Sequence, residues 1–379
     1  MINSVKKSKS YMPSISPENA KMLYKDYTDY SVSRIEGYYI CPFRYFLTNG
    51  LKLKEREEKK VKKSDIGNLL HWAVKQYCME VDGNGDSASK HKNWTELTDE
   101  KSLEIINKIF DSVQSSLSGD SLSSKTKNML RRAKALMYRC SKVINISYKN
   151  SCYVSAGYEY SFEGLPISFG GKTVSVHGII DRADVLFDNG SEKKIRIIDY
   201  KSGYKEFSPS AILNKLDLQL GVYAIAAQEA VKSDIKGDNS NCDVSVNGIF
   251  FEKLTDDFEK SSFEDIDTSK SPTNSKLDGI TFLDPTYEKE KEIFEADKLK
   301  NIDTEIESSG QSGYLKIKLN TARNKVDKRY SSVTSTENME TIQRWIKKAV
   351  VEADRDIKNG VISPTPYKKS ESDNGCSKY

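Results

Sequence analysis

Two short apolar runs, each ending on an acid, constrain this chain more than any other feature. They are Gly178-Ile179-Ile180-Asp181-Arg182 and Ile195-Arg196-Ile197-Ile198-Asp199-Tyr200-Lys201-Ser202-Gly203. β-branched runs of this length, bounded by turn residues, read as strands. Side chains alternate across a strand, so Asp199 and Lys201 share one face and Tyr200 takes the other. Paired aspartates at the ends of neighbouring strands offer the hard oxygen donors that Mg²⁺ or Mn²⁺ prefers. A lysine beside them can orient or deprotonate a water and stabilise developing negative charge. A bound metal lowers the pKa of its water and screens phosphate charge. Together these are the parts that phosphodiester hydrolysis needs. The plainer alternative makes Asp181–Arg182 and Asp199–Lys201 turn residues and surface ion pairs.

The surrounding pattern places these runs. From Ser31 to about residue 150 the chain reads as helical. Ser31 or Ser33 starts a helix and Pro42 opens a second short piece. A further helix runs through Leu69, Leu70, Trp72, Val74 and Tyr77 and carries His71. Others start near Thr98 and span Met129 to Ile146. The texture then changes to short β runs at 153–162, 173–180, 183–187, 194–200 and 244–251, with a helix over Ile212 to Ala230. One more strand is expected at Tyr314 to Leu319, and a last helix from near Thr336 to Gly360. Residues 1–30, with Pro13 and Pro17, read as irregular, and 255–280 as a polar loop or insertion. The expected division is 1–30, a helical part 31–150, a core 151–367 and a tail 368–379. This is an α/β core with an N-terminal helical addition.

Composition narrows the function less. The 379 residues carry a net charge of +4, which neither argues for a nucleic-acid partner nor excludes one. A local cluster, Lys52, Lys54, Arg56, Lys59, Lys60, Lys62 and Lys63, is either a phosphate-binding patch or a solvated face, since Glu55, Glu57 and Glu58 interleave it. Six scattered cysteines and no secretory signal argue against a disulfide framework and for a reduced, cytoplasmic protein. No run approaches the roughly 18 apolar residues of a membrane span. Gly170-Gly171-Lys172-Thr173 ends like a phosphate-binding loop, but Pro166 stands where its first glycine belongs. It is expected to be a hairpin turn, and no ATPase site is expected.

The ordered set Gly178–Arg182, Ile198–Gly203 and Gln219-Leu220-Gly221-Val222-Tyr223 resembles the RecB-type branch of the PD-(D/E)xK nuclease superfamily. Ser31-Val32-Ser33-Arg34-Ile35-Glu36, Cys41-Pro42-Phe43, Gly50–Arg56 and Gly67-Asn68-Leu69-Leu70-His71 are similar to the C-terminal nuclease region of the B subunit of AddAB-type helicase–nucleases. The resemblance implies a restriction-endonuclease-like core, a small mixed sheet flanked by helices. It implies His71, Asp181, Asp199 and the Tyr200 carbonyl as ligands to Mg²⁺ or Mn²⁺, and Lys201 as the catalytic lysine. Gln219 and Tyr223 would position Lys201 or the DNA phosphate, and Glu159 matches an acid on the first core strand. Without the resemblance, His71 reads as a satisfied helical residue. Cys41 matches the first cysteine of the family's 4Fe-4S cluster, whose other three follow near the C-terminus in a C-x-x-C-x5-C arrangement. Cys376 arrives there, but Tyr379 stands where its partner would fall, so the set is incomplete, as for a fragment. The family's helicase-like portion has no counterpart here. The implied function is metal-dependent hydrolysis of single-stranded DNA ends in double-strand-break processing, beside an AddA-type subunit. The alternative is a catalytically silent DNA-binding or scaffolding remnant.

Overall fold

The computed structural model describes residues 13–24, 29–54, 63–117, 123–186, 192–203, 205–237, 243–254 and 276–368. The chain opens with helix α1 (Pro17–Leu23), strand β1 (Asp29–Ser31), helix α2 (Val32–Ile40) and the short α3 (Pro42–Tyr45), which runs into a π-helical turn at Phe46–Gly50. Four longer helices follow: α4 (Lys63–Asp82), α5 (Ser87–Glu96), α6 (Asp99–Leu117) and α7 (Ser124–Lys149). Strands β2 (Tyr153–Phe169), β3 (Lys172–Leu186) and β4 (Glu192–Lys201) come next, then α8 (Pro209–Leu213), α9 (Gln219–Gly237), β5 (Asp243–Lys253) and β6 (Asp278–Leu283). A small hairpin of β7 (Thr286–Glu288) and β8 (Lys291–Ile293), the one-turn helix α10 (Ile306–Ser309), β9 (Val333–Ser335) and the long α11 (Thr336–Lys358) complete it. Among the described residues no helix is long and apolar enough to cross a membrane.

The sheet order is β1-β3-β4-β5-β6-β9, with β2 on the other side of β3. The Gly170-Gly171 pair makes the β2–β3 hairpin turn, both residues at positive φ (56° and 75°), a conformation that glycine adopts without a Cβ clash. Strand β2 runs antiparallel along the whole of β3. A strand has only two edges, so β1 and β4 must share the other one. β1 pairs in parallel with Ser175–His177 and β4 pairs antiparallel with Arg182–Val185. Between those grips lies Gly178–Asp181, and this fork positions the site. β4 then lies parallel to β5, joined through α8 and α9; β5 and β6 are antiparallel, and β6 and β9 parallel.

The sheet separates two cores. Ile195, Ile197, Ile249 and Phe251 pack with α9 and α11 on one face, where Val222, Ile225, Ile346 and Val350 are buried. Ile198, Tyr200 and Phe250 face the other way, onto the layer of α4–α7 with Leu70, Val74, Ile106 and Met137. Burial on both faces explains why β4 carries apolar side chains on both sides, Ile195 and Ile197 toward one core and Ile198 and Tyr200 toward the other.

Several local expectations are corrected. Part of 1–30 is regular: α1, whose first turn is closed by Ser16 Oγ accepting from the Asn19 amide at 3.2 Å, and β1, which joins the sheet. The helix expected over Ile212–Ala230 is two helices. Lys215 sits at φ 63°, a left-handed geometry that stops α8, and α9 restarts at Gln219. Tyr314–Leu319 is not a strand. Its apolar residues are buried, but its backbone is tied by isolated bridges, Gln311 to Lys318 and Leu319 to Val326. The polar segment at 255–280 ends earlier than expected, since β6 starts at Asp278; residues 255–275 lie outside the described residues. Helix α5 was not visible in the pattern, because Trp94 is its one buried residue. Of the basic cluster, Lys52 and Lys54 are exposed and residues 55–62 lie outside the described residues, as does Cys376.

Candidate active site

The β3–β4 ladder ends at Arg182 opposite Ile198. Two residues further along β4, the Tyr200 amide donates instead to Asp181 Oδ2 at 2.7 Å. Asp181 thus fills the fork with its carboxylate, and its Oδ1 lies 3.4 Å from His71 Nδ1 on α4. Asp199 is almost fully buried, at 2% exposure. It forms an ion pair with Lys201 on the same face of β4, as the alternation requires. Lys201 Nζ also donates to Gln219 Oε1 at 2.8 Å, and Gln219 Nε2 donates to the Tyr223 hydroxyl at 2.9 Å. Gln219 and Tyr223 stand one turn apart on α9, so their side chains meet on one helix face. The ring of Phe251 lies 5.3 Å from Lys201 Nζ and 4.7 Å from Lys205 Nζ.

Charge at this place is held under tension. Burial, with Asp181 close by, pushes the Asp199 carboxyl up to about 6 against the pull of Lys201. Burial works against a protonated His71, but the contact with Asp181 and the field of Asp199 outweigh it, so the imidazole pKa lies above its ordinary value. Two acids crowded in a poorly solvated fork attract a cation. The donors, two carboxylates and an imidazole, suit a hard divalent ion. Among the described residues, no group of three His, Cys, Asp or Glu side chains converges on one point. Asp181 is turned onto His71 and the Tyr200 amide. The fit to a metal is therefore one of donor chemistry and not of a preformed ligand set.

Other expected residues fall differently. Glu159 lies between Tyr158 and Tyr160, which pair with Arg182 and Ile180, so its backbone is beside Asp181. Its carboxylate is engaged by Lys75 Nζ at 2.9 Å, on the same helix as His71. Cys41 is buried, and its sulfur accepts from the Arg44 amide at 3.5 Å. The two ends of the described chain do meet near it: the Tyr367 amide donates to the Ile40 carbonyl at 2.9 Å, and the Ile15 amide to the Gly360 carbonyl at 3.0 Å.

The surface ion-pair alternative fails at Arg182. This side chain is 0% exposed and pairs with Asp184 and Glu252, not with Asp181. Residue reasoning also missed Glu36 on α2. Its Oε1 accepts from the amides of Leu218 at 2.7 Å and Gln219 at 3.1 Å, at the start of α9. The signal available was the Ser31–Glu36 run, which carried no role by itself.

The family model of the PD-(D/E)XK nuclease superfamily matches residues 29–378. The chain is 30% identical over 363 residues to the B subunit of the ATP-dependent helicase/deoxyribonuclease of Thermoanaerobacter sp. (strain X514), covering 93% of this chain and 29% of that protein. It is 29% identical over 380 residues to the B subunit of the like-named enzyme of Clostridium tetani, covering 95% and 30%. For the one from Alkaliphilus metalliredigens it is 29% over 376 residues, covering 96% and 30%. The chain thus spans about 30% of the length of these relatives. With the family match covering the sheet, the fork and both acidic strand ends, the chain belongs to the PD-(D/E)XK nuclease superfamily.

Proposed function

We propose that this chain is a Mg²⁺- or Mn²⁺-dependent deoxyribonuclease that hydrolyses phosphodiesters at single-stranded DNA ends, as the nuclease part of a helicase–nuclease B subunit. The observation that carries the proposal is the linked set in which Asp199 forms an ion pair with Lys201, and Lys201 is hydrogen-bonded through Gln219 to Tyr223, beside Asp181 and His71 at the fork.

Asp181, Asp199 and His71, with the Tyr200 carbonyl, would hold the metal, and Tyr200 N–H fixes one oxygen of Asp181. A divalent ion bound there supplies Lewis acidity toward a phosphate oxygen and lowers the pKa of water. Lys201 orients the attacking water and stabilises the negative charge on the phosphate oxygens as phosphorus becomes five-coordinate, before its bond to the leaving oxygen breaks. Gln219 Oε1 accepts a hydrogen bond from Lys201 Nζ, which fixes the direction of the ammonium, and Tyr223 fixes Gln219 in turn. Burial holds the Tyr223 phenol up at about 12, so it remains a neutral hydrogen-bonding group. The relatives are named as subunits of ATP-dependent helicase/deoxyribonucleases, and the proposal extends to a motor subunit of AddA type as partner and to the cytoplasm as the place of action.

The test is cleavage of end-labelled single-stranded DNA by the full chain with Mg²⁺ or Mn²⁺. Lys201→Ala should lower the rate by about 10²–10³, Asp199→Ala should abolish it, and both should retain DNA binding. Chelation should stop the wild type. DNA binding without cleavage in the wild type would instead favour the silent remnant.

A further inference from the structure

The first amides of a helix have no partner within it, and a serine, threonine, aspartate or asparagine at the preceding position ordinarily supplies one. Helix α9 has no such residue. Leu218 precedes it, and the carboxylate of Asp217 is engaged by Lys205 Nζ at 3.0 Å. The acceptor comes from another part of the chain. Glu36 Oε1, on α2, receives the amides of both Leu218 and Gln219. Those contacts span 182 and 183 residues of sequence. The backbone so held belongs to the residue whose side chain grips Lys201 at 2.8 Å.

We infer that Glu36 is a positioning residue of the nuclease site: one carboxylate oxygen anchors the backbone of Gln219, and through Gln219 sets where Lys201 points. This rests on the nuclease reading above. Tyr223 restrains the far end of the Gln219 side chain, while Glu36 restrains its near end, so the amide that faces Lys201 is fixed from both sides. Burial pushes the Glu36 carboxyl up to about 7, with Asp217 adding to the rise and Lys205 and the two amides opposing it. The role requires an acceptor at this point and does not require a full negative charge. A glutamine, whose carbonyl oxygen occupies the same place, satisfies both amides.

The test compares Glu36→Ala, Glu36→Gln, Gln219→Ala and the Glu36→Ala/Gln219→Ala double variant in the full chain. It measures kcat and KM on labelled single-stranded DNA with Mn²⁺. Glu36→Ala should lower kcat by about ten- to a hundredfold, the range for residues that orient a metal or catalytic group without touching substrate. KM should stay within about threefold, since the DNA-binding surface is untouched. Glu36→Gln should restore kcat to within about threefold of wild type, and the double variant should be no worse than Gln219→Ala, because the two act in series. Amide exchange of the metal-free protein gives a second readout: Glu36→Ala should release Leu218 and Gln219 while the sheet stays protected. If Glu36→Ala does not fold, Glu36→Asp, which withdraws the oxygen by one methylene, carries the same expectation. An unchanged kcat, a loss confined to KM, a Glu36→Gln variant as impaired as Glu36→Ala, or fully additive losses would each overturn the assignment. A wild type that cuts nothing sinks the nuclease reading itself, whatever the exchange experiment shows. An active wild type with an indifferent Glu36→Ala sinks the positioning role alone.

Discussion

Asp184→Asn tests how the sheet is locked beneath the helical layer. Asp184 is fully buried and receives Arg182 Nε at 3.1 and 3.0 Å, Arg182 Nη2 at 2.8 Å, Arg196 Nε at 2.8 Å and the Tyr148 hydroxyl at 2.7 Å. Burial disfavours its charge, but the two guanidiniums outweigh that and hold its carboxyl below the ordinary range. The remaining acid, Glu252, lies 3.7 Å from Arg182, and burial pushes it up to about 7 against the pull of both arginines. Asparagine keeps the shape of Asp184 and removes its charge, leaving two buried guanidiniums facing one weakly ionised carboxyl. Breaking a buried pair in this way costs about 3–5 kcal/mol. The unfolding entropy of a chain of 379 residues is about 0.8 kcal/mol per kelvin, so the midpoint should fall by about 4–6 °C. Differential scanning calorimetry reads the shift, and urea unfolding reads the free energy. A variant within about 1 kcal/mol of wild type would refute the reasoning, because it would mean that the cluster is hydrated and its charges screened.

A methyl group on Gly178 would lie 2.8 Å from Phe162 Cζ and 3.0 Å from Tyr223 Cε1. Gly178→Ala should therefore cost about 1–3 kcal/mol by overpacking and slow cleavage through Tyr223, checked by melting and single-turnover assays; unaltered cleavage would uncouple Tyr223 from the lysine. Burial pushes the Glu36 carboxyl from its ordinary 4.5 up to about 7, so the stability it contributes is full below the lower value and is lost as pH rises through the higher one. Wild type should lose on the order of 2 kcal/mol relative to Glu36→Gln between about pH 5 and 8, read from urea midpoints; a flat difference would refute it. The Lys75–Glu159 pair is about one-third exposed, at 30% and 31%. Glu159→Gln should change stability by less than about 1 kcal/mol and leave the cleavage rate near wild type. A large loss in the same cleavage assay would refute this and return Glu159 to the site.

The geometry of β4 was legible because strand alternation is a local rule: Asp199 and Lys201 had to share a face, and they do. The hairpin at Gly170-Gly171 was legible for the same kind of reason. Arg182 was not. In sequence it follows an acid at the end of an apolar run, as a surface residue would, and only the covering by α4–α7 buries it. The break at Lys215 hid inside an apolar spacing that continued on both sides. The grip of Glu36 on Gln219 joins segments more than 180 residues apart, which no periodicity reports. Tyr314–Leu319 shows the converse: its apolar residues mark burial correctly, but burial does not specify a ladder.

The two grips on β3 have a consequence for length. Residues 175–177 are clamped by β1 and 182–185 by β4, so the interval between them is a span fixed at both piers. Side chains within it can be exchanged, at whatever penalty their packing imposes. Their number cannot. One residue more or fewer would rotate every side chain on one side of the gap to the opposite face, offering Ile180 or Arg182 where the carboxylate of Asp181 now stands.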